Sequence, residues 1–230
     1  MKNYIFIGGS YGIGKSAIEQ LIDDDHQVHL YSRTQGDFSE FKDKVHHHVF
    51  DASKDEFSID ALPPSCEGLV YLPGTINLKP FTRLKPEDFI LDFQLNFVNM
   101  TKILSKVLPF LKKSNLPSSV VLFSSVVVQN GMPFHSLVGS SKGAIEGFTK
   151  NMASEFAPKV RFNCLAPSLT ETPLAKNIVS NPKVLQNSIQ KHPLQRIGRP
   201  SDLGKMLCFL LKEDSFMTGQ IIHIDGGMSL

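Results

Sequence analysis

The 230-residue chain has no tryptophan and only three cysteines, Cys66, Cys164 and Cys208. Their odd number and wide spacing exclude a disulfide framework and a paired-cysteine zinc site. A reducing cytoplasm is the setting this usage suggests. Long apolar runs are also missing, so no bilayer crossing is expected. The opening Met1-Lys2-Asn3-Tyr4 leads into a short apolar strand and a glycine turn, too little for a signal peptide. Charge of one sign is not in excess: the net charge is +2, and no Lys/Arg run exists to make a nucleic-acid surface. The one histidine run, His46-His47-His48, falls on an expected strand. Alternate strand side chains face opposite ways, so the three cannot chelate one ion, and no metal site is expected.

What the chain does have is alternation. Strand-like segments are Tyr4–Ile7, Gln27–Ser32, His46–Phe50, Gly68–Leu72, Ser119–Phe123, Lys159–Cys164 and Gln220–Ile224. Helical patterns occupy Gly12–Ile22, about Pro86–Lys113, His135–Phe156 and Asp202–Leu211, with Pro109 marking a kink or early stop in the second. Thr172–Gln190 reads as an irregular or helical excursion bounded by prolines. Strands alternating with helices imply βαβ units, and uninterrupted apolar strands fit a sheet covered on both faces. The expected fold is α/β: a single doubly wound Rossmann domain over residues 1–230, with a mainly parallel seven-stranded sheet and helices on both faces. No repeat, low-complexity linker or boundary divides it.

The strongest motif is Ile7-Gly8-Gly9-Ser10-Tyr11-Gly12-Ile13-Gly14, directly after a strand and opening a helix. Glycines let backbone approach a pyrophosphate closely, and the helix N-terminus stabilises its charge. The spacing resembles TGxxxGxG of the short-chain dehydrogenase/reductase family, with Ile7 in place of the usual Thr. The likeness extends along nearly the whole chain. Asp51-Ala52 resembles the acidic pair at adenine, and Asn96 the helix asparagine. Ser124-Ser125 ends the fifth strand, and Ser140-Ser141-Lys142-Gly143-Ala144 resembles the lysine helix. Asn163-Cys164-Leu165-Ala166-Pro167 with Thr172 resembles the nicotinamide segment. Thr218-Gly219-Gln220 and Asp225-Gly226-Gly227 resemble the C-terminal signature. The resemblance implies cofactor contacts from Gly8, Ser10, Tyr11, Gly12, Ile13 and Gly14 at the turn, then Ser32, Arg33, Asp51, Ala52 and Gly74, and finally Lys142, Pro167, Leu169 and Thr172. It also implies a homodimer or homotetramer built through the long helices.

Charge decides between cofactors. An acidic residue about 20 positions past the glycines would favour a ribose 2′-OH. Here the second strand ends Ser32-Arg33-Thr34, and Arg33 can offer forked donors to a 2′-phosphate. Lys15 could add a second positive charge. NADP(H) is therefore expected over NAD(H), which remains possible; the alternative is that Arg33 is a solvated loop cation.

The resemblance implies catalytic roles for Ser125 (substrate oxygen), Lys142 (ribose) and Asn96 (lysine positioning). The family's proton-transferring Tyr has no counterpart: YxxxK reads Val138-Gly139-Ser140-Ser141-Lys142. The NNAG segment is altered too, reading Tyr71-Leu72-Pro73-Gly74. A positioned acid or base is typically worth ~10²–10⁴ in rate. His135, two helical turns before Lys142, can share its helix face and suits acid–base work; its spacing resembles that of the enoyl reductase branch. It could equally be a helix-start histidine facing solvent, and Tyr71, a further candidate, a packed aromatic. Gly139, Gly143 and Gly147 form a stripe that admits close approach by the sheet or a partner helix. The apolar residues of Pro173–Gln190 suit a lid or a packed helix.

Two functions follow. One is an NADP(H)-dependent oxidoreductase acting on a small-molecule carbonyl or alcohol, its proton delivered by His135 or water. The other is a non-catalytic NADP(H)-binding protein, redox-responsive or a scaffold.

Overall fold

The computed structural model describes residues 1–212 and 216–230. Seven strands form one sheet: β1 (Asn3–Ile7), β2 (Gln27–Ser32), β3 (Val45–Val49), β4 (Gly68–Tyr71), β5 (Ser118–Phe123), β6 (Val160–Pro167) and β7 (Ile221–Ile224). Their order is β3-β2-β1-β4-β5-β6-β7, and every neighbouring pair is parallel. This is the expected single Rossmann-like α/β domain.

Strand alternation explains why both faces are apolar. In β1, Tyr4 and Phe6 enter a core with Ile18 and Leu21 of helix α1 (Gly12–Asp23), while Ile5 and Ile7 enter the opposite core. Fully burying each such side chain stabilises the fold by roughly 1.5–3 kcal/mol. Two cores at successive positions require helices on both faces. The second helical region is α2 (Pro86–Phe93), a π turn over Gln94–Val98, and α3 (Asn99–Lys112). Pro86 starts α2, where its missing N–H costs nothing, and the Asp88 carboxylate accepts a 2.9 Å bond from the Lys85 N–H.

Pro109 neither stops nor shortens α3. The carbonyl its missing N–H would leave free, four residues back, belongs to exposed Ser105, where water can satisfy it. A short helix not expected from the sequence, α4 (Val127–Asn130), follows β5 and leads to α5 (Ser136–Phe156). β6 continues past Cys164 to Pro167, because Ala166 and Pro167 still pair with β7. The Thr172–Gln190 excursion resolves into a 3₁₀ turn at Pro173–Ala175, α6 (Lys176–Val179) and α7 (Pro182–Gln190). Helix α8 (Pro200–Lys212) packs beside α1.

No helix among the described residues is long and apolar enough to cross a membrane, and no metal-ligating cluster occurs among them. The histidines of β3 pair and stack within the sheet: His46 Nε2 lies 2.7 Å from Gln27 Oε1, and His48 stacks on Tyr31. All three cysteines are buried and free.

Candidate active site

Strand order reverses direction between β1 and β4, and a cleft of about 950 Å³ opens at the carboxyl ends of the strands there. Its floor is the turn after β1. Gly12 holds φ +62° as that turn enters α1, a conformation that strains any residue with a Cβ. Gly14 meets Gly9 so closely that an added Cβ would lie 2.3 Å from the Gly9 Cα. No side chain caps α1, and its first turn carries no acid, so its free N–H groups present an unopposed positive end.

All the cofactor residues singled out in the sequence line this one cleft, from Gly8 to Thr172. Arg33 is exposed at its rim and, among the described residues, has no ion-pair partner. Lys15 is different. Its ammonium is taken by Asp37 at 2.5 Å and faces Glu19 at 3.7 Å, so it adds no free charge for a phosphate. Asp51 has its carboxylate turned to the Ser53 N–H at 2.9 Å and hydroxyl at 2.6 Å, which hold its pKa below the ordinary range.

Ser125, His135 and Lys142 also line the cleft. Ser124 is committed elsewhere: its hydroxyl donates to Glu146 at 2.5 Å. Ser125 has only a long 3.5 Å contact from the Val127 N–H and is left to face the cleft. Burial pulls the Lys142 ammonium from its ordinary 10.5 down to about 8, against opposing pulls from the Cys164 sulfur and the Asp92 carboxylate. Gly74 gives this lysine room. A Cβ there would sit 3.4 Å from Lys142 Nζ and 3.1 Å from Asn96 Oδ1.

Asn96 lies behind that wall rather than in it, 1% exposed within the π turn. Its Nδ2 donates to the Asp92 carbonyl at 2.9 Å and to Thr75 Oγ1 at 3.1 Å, and its Oδ1 is buried without a partner among the described residues. π turns recur at functional positions, and this one turns Asn96 toward Lys142. Asp92 is itself 3% exposed. Its carboxylate accepts hydrogen bonds from Thr75 and, at 2.6 Å, from Ser141, the neighbour of Lys142. This buried carboxylate was overlooked in the sequence, although its place four residues before Asn96 puts both on one helix face.

Val138 is 7% exposed and lines the cleft one turn before Lys142. His135 precedes the first turn of α5, half-exposed, with Nδ1 2.7 Å from the Pro133 carbonyl. Tyr71 is excluded as a proton source: it points into the core and donates to the Leu95 carbonyl at 2.6 Å, and burial raises its pKa far above the ordinary value. Leu174, Ile178 and Val184 line the cleft, so the excursion after β6 forms an apolar wall of it. The glycine stripe on α5 is not approached by the sheet; nothing lies within 4 Å of a Cβ at Gly139 or Gly147.

A family model described as enoyl-(acyl carrier protein) reductase matches residues 11–229. The chain is a short-chain dehydrogenase/reductase. A tropinone reductase homologue from Datura stramonium is 30% identical over 242 residues, covering 97% of this chain and 90% of that protein. The L-xylulose reductase of Bos taurus is 28% identical over 228 residues, covering 96% and 93%. Among solved structures, ElxO with NADP bound superposes with a TM-score of 0.87 at 29% identity, covering 99% of each chain. Oxidoreductase character and an NAD(P)-binding Rossmann fold follow from this membership.

The family's dinucleotide is tested by the residues themselves. The glycine cradle admits no Cβ at position 14, the α1 N-terminus is uncapped, and Asn96 Oδ1 awaits a partner beside a lysine that faces the cleft. These fit such a cofactor. The remaining signature residues have structural work. Asp225 accepts from the Gly227 and Ser229 N–H groups at 3.0 Å each, and Asn163 fixes Gln220 and Met217.

Proposed function

We propose that this reductase interconverts a small carbonyl compound and its alcohol with NADP(H). The observation that carries the reading is the convergence of the glycine turn, Arg33, Lys142 and Ser125 on one cleft. Arg33, exposed at the rim without an ion pair among the described residues, favours the 2′-phosphate of NADP(H) over the bare ribose of NAD(H). Relatives named for a tropinone reductase and an L-xylulose reductase, and a neighbour named with NADP, support carbonyl chemistry and this cofactor.

When bound, the nicotinamide supplies or accepts hydride. The Gly8–Gly14 turn and the α1 N-terminus would hold its pyrophosphate, with Ser10, Tyr11 and Ile13 lining that approach. Ser32 and Arg33 would take the adenosine ribose side, Asp51 and Ala52 the adenine, and Pro167, Leu169 and Thr172 the amide end. Lys142 would bind the nicotinamide ribose, with Asn96 behind Gly74. Ser125 Oγ holds the substrate oxygen. Proton delivery falls to a group other than residue 138. His135 is one: Nδ1 donates to Pro133, which leaves Nε2 of the neutral ring as an acceptor.

Lys142→Ala and Ser125→Ala are each expected to cut steady-state reduction of any accepted carbonyl by at least ~10². Turnover that survives both substitutions would sink the reading. The second reading, a non-catalytic NADP(H)-binding protein, is favoured by the presence of Val138 in the wall of the cleft. It requires NADPH binding with no turnover over a broad carbonyl and alcohol panel.

A further inference from the structure

Two cleft residues not used above form a hydrogen-bonded pair. His192 is 1% exposed and follows the last turn of α7. Its Nδ1 lies 2.6 Å from the Ser188 carbonyl, and its Nε2 lies 2.8 Å from Ser168 Oγ. A carbonyl only accepts, so Nδ1 carries the hydrogen. In the neutral ring Nε2 is then an acceptor, and the Ser168 hydroxyl donates to it. The arrangement is a hydroxyl, a base and an orienting acceptor, the constellation that moves a proton through a serine.

Its placement matters as much as its geometry. Ser168 follows Pro167 at the end of β6, and both Ser168 and His192 line the cleft. The Val126 N–H donates to the Pro167 carbonyl at 3.1 Å, which joins the neighbours of Ser125 and Ser168 across the ends of β5 and β6. The segments that carry the two serines therefore meet at the carboxyl edge of the sheet. Gly226 lies beside the ring of His192, where even an added Cβ would sit 3.4 Å from its Cδ2, an ordinary contact. The chain that orients it is fixed as well: Asn181 caps α7 with bonds to the Lys183 and Val184 N–H groups at 3.1 and 3.3 Å. His135, by contrast, is half-exposed, and its Nδ1 is tied to its own loop.

We propose that Ser168 is the catalytic proton donor and acceptor of this site, and that His192 is the positioning residue that loads and unloads it. The proposal rests on the oxidoreductase reading above. In the oxidising direction the substrate O–H proton passes to Ser168 Oγ as the Ser168 proton passes to His192 Nε2. The C–H bond breaks as hydride leaves for the nicotinamide dinucleotide, and the C=O bond forms. Reduction runs the same steps backwards: hydride adds to the carbonyl carbon, the alkoxide takes a proton from Ser168, and imidazolium Nε2–H restores the serine. The pair thus does the work for which residue 138 has no functional group.

The test uses the whole chain with NADPH and a carbonyl panel, comparing Ser168→Ala, Ser168→Thr and His192→Gln. Ser168→Ala and His192→Gln should each lower kcat by ~10² or more, with KM and NADPH affinity within about twofold. Ser168→Thr, which keeps a hydroxyl, should stay within about fivefold of the parent. A cofactor-free readout accompanies these: nitrogen NMR of the histidine rings should show a buried imidazole protonated at Nδ1, whose Nε2 resonance moves in Ser168→Ala. Undiminished turnover in Ser168→Ala, a loss in Ser168→Thr as deep as in Ser168→Ala, or His192 protonated at Nε2 alone overturns the pair while leaving the oxidoreductase reading intact. A parent protein that binds NADPH and turns over nothing overturns both.

Discussion

Valine at position 138 is the residue on which the proposed chemistry turns. It sits in the cleft wall one helical turn before Lys142, and its isopropyl group cannot carry a proton. Val138→Tyr would add a phenol beside a lysine whose charge lowers the phenol pKa, so turnover should rise by ~10-fold or more if proton transfer limits the rate; steady-state kinetics on an accepted carbonyl checks this, and a fall would mean that the larger ring blocks substrate. Lys142 makes a second point at this scale. Its folded-state pKa of about 8 lies below the ordinary 10.5, so between those values the unfolded chain binds more protons and stability rises with pH. The penalty is fully present below about pH 8. Lys142→Met should therefore stabilise the cofactor-free protein by about 1–3 kcal/mol at neutral pH, discounted for the ammonium's access to the cleft. That gain should shrink as pH rises from 8 to 10.5, by denaturant titration, while turnover is lost. A Met variant less stable at pH 7 would mean that the ammonium is well paired. Residues like Lys142 and Gly14 were legible because spacing along one strand–turn–helix unit fixes their neighbours. Ser168 and His192 were not: 24 positions separate them, and only the path of the excursion after β6 brings them together.

Elements show the same division. The seven strands were readable because apolar runs bounded by turns need a sheet covered on both faces. The π turn within Pro86–Lys112 was not, since periodicity places residues on a helix face without revealing an extra residue in one turn. That turn matters because it places Asn96 behind Gly74, directly after the end of α2, where Asp92 accepts the Ser141 hydroxyl of α5. Asp92→Asn keeps the shape of this link and removes its charge. Lys142 would then lose one of the groups that oppose its desolvation, and its pKa should fall further. The pH at which NADPH affinity declines on the alkaline side should move down; an unmoved profile would mean that Asp92 holds helices together without acting on the lysine. The short helices α6 and α7 were read only as one irregular or helical excursion for a simpler reason: prolines interrupt the pattern before a full helical period accumulates.

At the scale of the whole molecule, the sheet brings distant segments to one edge. The turn after β1, the end of β2, the loop after β4, the end of β5, helix α5 and the end of β6 meet at the switch point, where the order of strands reverses. A dinucleotide would span that edge, its phosphates on the α1 N-terminus and its adenosine ribose against Arg33. The cleft is thus one binding surface assembled from the full length of the sheet, and its occupancy is the central claim. The measurement that tests it most directly is titration of the purified protein with NADPH and NADH, followed by emission of the reduced nicotinamide because the chain has no tryptophan. The account expects NADPH to bind ~10-fold or more tighter than NADH, a difference of about 1.4 kcal/mol or more, and Arg33→Asp to abolish or invert that preference. Folded protein that binds neither cofactor, or a preference untouched by Arg33→Asp, would contradict it.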